Sequence, residues 1–234
     1  MAEDQLLRLL AMIEQAGVWL SVLAWFSVAG GTAAMSYVLR TEKRRGVWVA
    51  AGIVGGVALV ANLADYVVTL YRTPNLGLEA NPLWHNVVEH FGVWVAKWYG
   101  LTGKIFVSIL AGQMFAFYLA NRKRLFPVRA GSLTEFLFRI GNRSKTLRER
   151  LAALFTVFAF FFAGVQLFYF YIAYLNWLLH SELRNRLPSV PVALSLLLCA
   201  LAIAFVAVTY RGFSASSPPE ARKDSQERRW GGQA

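Results

Sequence analysis

The chain has 234 residues, 57% of them hydrophobic and only 16% charged, with a net charge of +11 and a mean hydropathy of +0.45. That balance is too apolar for an ordinary soluble domain. The excess of Lys and Arg does not point to nucleic acid, because it gathers at the ends of apolar segments, where membrane topology is set; membrane lipids are expected partners and nucleic acid is not.

In chain order, residues 1–15 carry Glu3, Asp4 and Glu14 against a single Arg8, the wrong charge for the start of a signal peptide. Leu6, Leu10 and Ile13 share a helical face, so the segment reads either as an amphipathic helix on the membrane surface or as an extension of the first span. A hydrocarbon core of about 30 Å takes roughly 20 apolar residues of helix. Five segments meet that length: residues 16–39, 47–71, 93–120, 151–179 and 190–210. The expected fold is therefore an all-α integral membrane bundle of five transmembrane helices, filling residues 16–213 as one domain. Between spans three and four, Ser132-Leu133-Thr134-Glu135 reads as a capping box opening a short basic helix. Residues 214–234, rich in Ser, Pro, Gly and charge, read as a disordered basic tail. The single cysteine, Cys199, lies in the fifth span.

Basic residues fill every second gap. The segment Arg40–Gly46, the segment Asn121–Arg150 and the tail from Arg211 together hold 18 of the 24 Lys and Arg. The positive-inside rule then predicts an external N-terminus, a cytoplasmic C-terminus and a multi-pass protein of the inner (cytoplasmic) membrane. Trp19, Tyr71, Trp84, Trp94, Trp98 and Trp177 map near the outer interface, where such rings favour the headgroup level.

Polar residues interrupt this pattern in one region. Asn62, Asp65, Thr69 and Arg72 line one face of span two, and Lys97, Gly100, Lys104 and Ser108 line one face of span three. Asp65 and Lys104 each lie about 9 Å inside the outer end of their spans at 1.5 Å per residue. An unpaired charge at that depth costs at least a few kcal/mol, so the two are expected to face each other. In the loop between, Pro82 suits the first turn of a helix with Asn81 as its cap, and Trp84, Val87, Val88 and Phe91 give that helix an apolar face. It reads as a re-entrant or interfacial segment, beside Glu79.

Other chemistries have little support. Glu79, His85, Glu89 and His90 are metal-ligand types, but their spacing matches no familiar motif, and no metal or other cofactor is expected. No Gly-x-Ser-x-Gly or phosphate loop occurs. The Gly52-to-Gly56 run is a GxxxG, read as close helix packing. Gln166, Tyr169 and Asn176 form a modest polar stripe in span four, read as aromatic packing rather than a lining.

Asp65-x-x-x-Thr69, then Glu79-x-Asn81-Pro82, then a lysine in the next span, resembles a family of small uncharacterised prokaryotic membrane proteins. The resemblance covers residues of about 62–112. It implies that Asp65, Thr69, Glu79, Asn81 and Lys104 belong to one site, with Asn62 on the same face, and it names no reaction. Three functions fit: binding or translocation of an ion or small polar solute, favoured as a homo-oligomer; a structural or accessory subunit among other membrane subunits; or an intramembrane enzyme acting on a lipid-linked substrate.

Overall fold

The computed structural model describes residues 2–76, 81–125, 132, 134, 146–178 and 181–214, with side chains described for all of these but 2–16, 82, 123–125 and 210–214. Among these residues the chain is helical, with no strand. The helices are α1 (Ala2–Leu39), α2 (Arg45–Arg72), α3 (Pro82–Leu125), α4 (Leu147–Val165), α5 (Phe168–Trp177) and α6 (Val190–Ser214), with one 3₁₀ turn, Glu182–Arg186, before α6. They give five segments long and apolar enough to cross a membrane: Gly17–Leu39, Arg45–Arg72, Leu83–Arg122, Leu147–Trp177 and Val190–Thr209. The helix of residues 2–16 continues into the first of these without a break. Leu133 and Glu135 of the expected capping box, the tail from residue 215, and Gly77 to Ala80 with Glu79 lie outside the described residues.

Helix α3 sits at the centre, packed against α1, α2 and α4, while α2 also packs on α5. The closest approach of α2 and α3 is at Gly55 and Gly112. A Cβ on Gly112 would come within 2.8 Å of the Ala51 carbonyl oxygen, so only glycine lets the backbones meet there. Gly52 and Gly56, the pair expected to make the close contact, have nothing within 4 Å. The packing glycine of that run is Gly55.

One end of the bundle is basic and densely packed. Met35, Leu39, Val47, Ala51, Leu110 and Met114 fill it between α1, α2 and α3. The short turn between α1 and α2 is closed by Glu42, which accepts hydrogen bonds from the Arg44 backbone (2.9 Å) and guanidinium (2.8 and 2.6 Å). The Trp48 indole donates to the Glu42 carbonyl at 2.9 Å. Helix α4 opens on a true capping box, Thr146 with Glu149, a Thr-x-x-Glu signal present in the sequence and not singled out there. Helix α6 is peripheral. It is held through Tyr118, whose hydroxyl meets Thr209 at 2.9 Å, and through the Phe160–Phe205 edge contact. Its outer face, with Leu196 and Ile203, is exposed and apolar as lipid contact requires.

Two interruptions shape the opposite end. Gly92 (φ 80°, ψ 166°) breaks α3 into an arm, residues 82–91, and a long helix, 93–125. Only glycine adopts that conformation cheaply. The chain reverses there, and the arm folds back along the helix it precedes: Trp84 donates from its indole to the Ala96 carbonyl at 2.6 Å and stacks on Tyr66 at 5.8 Å. Gly100 makes room for it, since a Cβ there would lie 2.4 Å from the Trp84 ring. Trp84 is thus buried, unlike Trp19, Tyr71, Trp94, Trp98 and Trp177, which are exposed. Val87 is buried with it, Val88 packs against the same cluster, and Phe91 is half exposed. The second interruption is at Gln166 and Leu167, between α4 and α5. Below it the fourth span packs on α3, above it on α2.

Candidate functional site

The arm, α1, α2, the long part of α3 and α5 surround a cavity of about 510 Å³ at the end opposite the basic one. Asp65 lies 20 residues from Arg45 and Lys104 lies 18 from Arg122. At 1.5 Å per residue both are about 27–30 Å from the basic end. Matching height puts them face to face: the Lys104 ammonium donates to Asp65 Oδ2 at 2.6 Å. Their side chains are 12% and 8% exposed.

The pair is embedded in further contacts. Asn176 of α5 donates from Nδ2 to Asp65 Oδ1 at 3.0 Å and to Thr69 Oγ1 at 3.3 Å. The Lys104 ammonium sits 4.4 Å from the centre of the Tyr169 ring, a cation–π distance. One turn deeper, Asn62 donates to Gln166 Oε1 at 3.3 Å and to the Ala58 carbonyl at 2.9 Å. Each of these groups satisfies another, which low-dielectric surroundings demand.

The expected residues are distributed as follows. Asn62, Asp65, Thr69, Asn81 and Lys104 all line the one cavity. Asn81 enters by a different route from the others. Its Oδ1 accepts from the Leu83 amide at 3.0 Å, capping the arm, so the arm's N-terminal end abuts the cavity. Lys97 is not part of the lining; its carbonyl accepts from the Tyr66 hydroxyl at 3.1 Å. His85 and Glu89 pair with each other across one arm turn at 2.9 Å. Glu79 lies outside the described residues.

The polar stripe of span four, expected to serve aromatic packing, supplies the cavity's third wall at Tyr169 and Asn176. Gln166, Tyr169 and Asn176 recur at three- and seven-residue intervals, a helical-face signal among dense aromatic residues; Gln166 itself stays out of the lining and pairs with Asn62. Arg72, already placed on the polar face of span two, lines the cavity too, and so does Arg184, which the sequence did not single out. Arg72 donates to the Trp177 carbonyl and lies 4.9 Å from the Trp177 ring centre. Thr73, Ile172, Leu175 and Val190 complete this side. Chemically, the arrangement offers a carboxylate, an ammonium, two guanidinium groups and several amide and hydroxyl groups beside apolar walls. Comparison with family profiles, with curated proteins and with solved structures returned no match.

Proposed function

We propose that this chain is a multi-pass protein of the inner (cytoplasmic) membrane, with its N-terminus outside and C-terminus inside, whose outward-facing intramembrane site binds a small polar solute or ion. The observation that carries the reading is the cavity of about 510 Å³ against which the Asp65–Lys104 pair and its amide partners are set. A purely structural pair is best buried in dry packing, whereas ligand pockets are concave, mostly apolar, and fitted with a few convergent polar groups. Intramembrane ionisable residues beside a cavity mark binding or transport pathways by default. The orientation rests on Arg40, Lys43, Arg44, Arg45 and Arg122 at the end remote from the cavity. The packed layer of Met35, Leu39, Leu110 and Met114 lies toward that end, so the cavity is a one-sided vestibule.

The test is access. In a Cys199→Ser background, Asn176→Cys in intact cells should react with a membrane-impermeant thiol reagent, and the reaction should slow in the presence of the bound solute. Failure to react, with reaction only after the membrane is opened, would turn the site inward and end the outward-facing reading.

A role as an accessory subunit in a larger membrane complex, or as a homo-oligomer, is the second reading. It is favoured by the open Gly52 and Gly56 face, flanked by exposed Val49, Ile53 and Val60, a surface suited to another helix. A stoichiometric membrane partner retained after mild solubilisation would support it; a lone monomer in a native-like bilayer would remove it.

A further inference from the structure

The cavity wall carries more positive charge than its ion pair uses. Asp65 and Lys104 neutralise each other. Arg72 and Arg184 remain in the lining, and among the described residues neither lies within ion-pair distance of a carboxylate. Arg72 commits one guanidinium nitrogen to the Trp177 carbonyl, but its Nε is buried without an acceptor. A buried donor in that state is unfavourable until an acceptor arrives. Arg184, an exposed residue on the 3₁₀ turn before α6, also lines the cavity. The arm's capped N-terminal end, at Asn81 and Leu83, adds the partial positive charge of a helix start. Two full charges and a helix dipole thus converge on one space, and among the described lining residues the single carboxylate, Asp65, is already paired with Lys104.

The rest of the space is apolar. Trp25, Val28, Val107 and Ile172 line it. Helices α1 and α5, which carry three of these four, pack on α3 and α2 respectively and make at most slight contact with each other. The cavity is therefore the gap between two walls held apart by the central pair of helices.

We infer that the ligand is an anionic amphiphile, its carboxylate or phosphate group held by Arg72 and Arg184 and its apolar portion against Trp25, Val28, Val107 and Ile172. This rests on the cavity being a binding site and names the chemistry that the site takes. Guanidinium groups match the planar or tetrahedral oxygens of carboxylate and phosphate by paired N–H donors. The volume of about 510 Å³ is within the range that encloses a small organic molecule rather than a bare ion. The same head chemistry occurs on a lipid fragment and on a free anion, and the apolar walls favour the former.

The experiment uses the full chain in phosphatidylcholine nanodiscs, read by unfolding temperature against probe concentration. Octanoate and octyl phosphate should raise it saturably. Octyltrimethylammonium and 1-octanol, with the same chain and no negative head, should not. Acetate and inorganic phosphate should need at least tenfold higher concentration. Arg184→Gln should weaken the octyl phosphate response about tenfold, the scale of one charge-assisted hydrogen bond; Arg184→Lys should lose less. Arg72→Gln should weaken it at least as much, but Arg72 also holds Trp177, so Arg184 carries the test. Equal responses to the cationic or neutral probe would overturn the anionic assignment while leaving a binding cavity. Equal responses to acetate or inorganic phosphate would overturn the apolar part. No response to any probe, with Asn176→Cys still labelled from outside, would overturn this inference alone; no response and no labelling would take the proposed function with it.

Discussion

Replacing Asp65 by Asn leaves Lys104 with an ammonium group that is 12% exposed, facing the Tyr169 ring and an amide instead of a carboxylate. Removing one member of a buried pair costs about 3–5 kcal/mol, because the survivor is left uncompensated. The adjoining cavity gives the survivor some hydration, which places the expected loss at the lower end, about 3 kcal/mol. Lys104→Met strands Asp65, but Asn176 still donates to Oδ1 at 3.0 Å, so its cost should be similar or slightly smaller. In the double variant neither charge remains, and about 1–3 kcal/mol of the summed loss should return, the usual coupling between groups in direct contact. On the scale of chains of this size, each single variant should lower the unfolding temperature by roughly 6–12 °C. The assay is thermal unfolding of the four proteins in one detergent, read by loss of the monodisperse species. Strictly additive losses would refute the reasoning: Asp65 and Lys104 would then each be stabilised by something other than the other.

Two further predictions concern packing and the turn between the first two spans. Gly100→Ala places a methyl group 2.4 Å from the Trp84 ring and should destabilise by about 1–3 kcal/mol, as overpacking does. Gly52→Ala, with nothing within 4 Å, should be neutral or stabilising by up to about 1 kcal/mol in thermal unfolding; equal effects would mean that the arm does not lie on the third span. The Arg44 guanidinium and backbone amide hold the Glu42 carboxyl down to about 2 from its ordinary 4.5. A depressed carboxylate stabilises the folded state above its unfolded pKa and loses that contribution as pH falls through the folded value. The turn should therefore keep its contacts at pH 4.5 and release Arg44 only near pH 2, seen by carbon-13 titration of Glu42; a midpoint near 4.5 would count against the contact.

Much of the fold was legible because hydrocarbon imposes a length and a polarity on every span. The Asp65–Lys104 pair was legible for a related reason: two charges at equal depth on consecutive antiparallel helices have few other partners. The arm's start was legible in Asn81 and Pro82, but its direction was not, since nothing in the sequence marks Gly92 as the reversal. Asn176 was seen as part of a polar stripe but assigned to packing, because one amide in an aromatic helix carries no sign of its neighbour. Its partner lies 111 residues earlier, and its height depends on the break at Gln166 and Leu167. The glycine contact went to the wrong residue because lipid and protein are equally apolar around α2. Polarity then cannot say which face meets another helix, and only the fit of Gly55 to Gly112 decides it.

The separation of the paired charges along the chain also sets an order of assembly. Lys104 follows Asp65 by 39 residues, so for about 2–8 s at ordinary rates of synthesis the second span exists without its counter-charge. Alone in the bilayer it would carry an exposed carboxylate at a cost of a few kcal/mol. Entering together with the third span as a helical hairpin, it carries a neutral pair. The α2–α3 hairpin is thus the natural insertion unit and the template on which the later helices pack. The fourth span, bringing Asn176 to Asp65 and Gln166 to Asn62, docks onto a surface already charge-balanced, and the vestibule closes around the pair only when that later helix arrives.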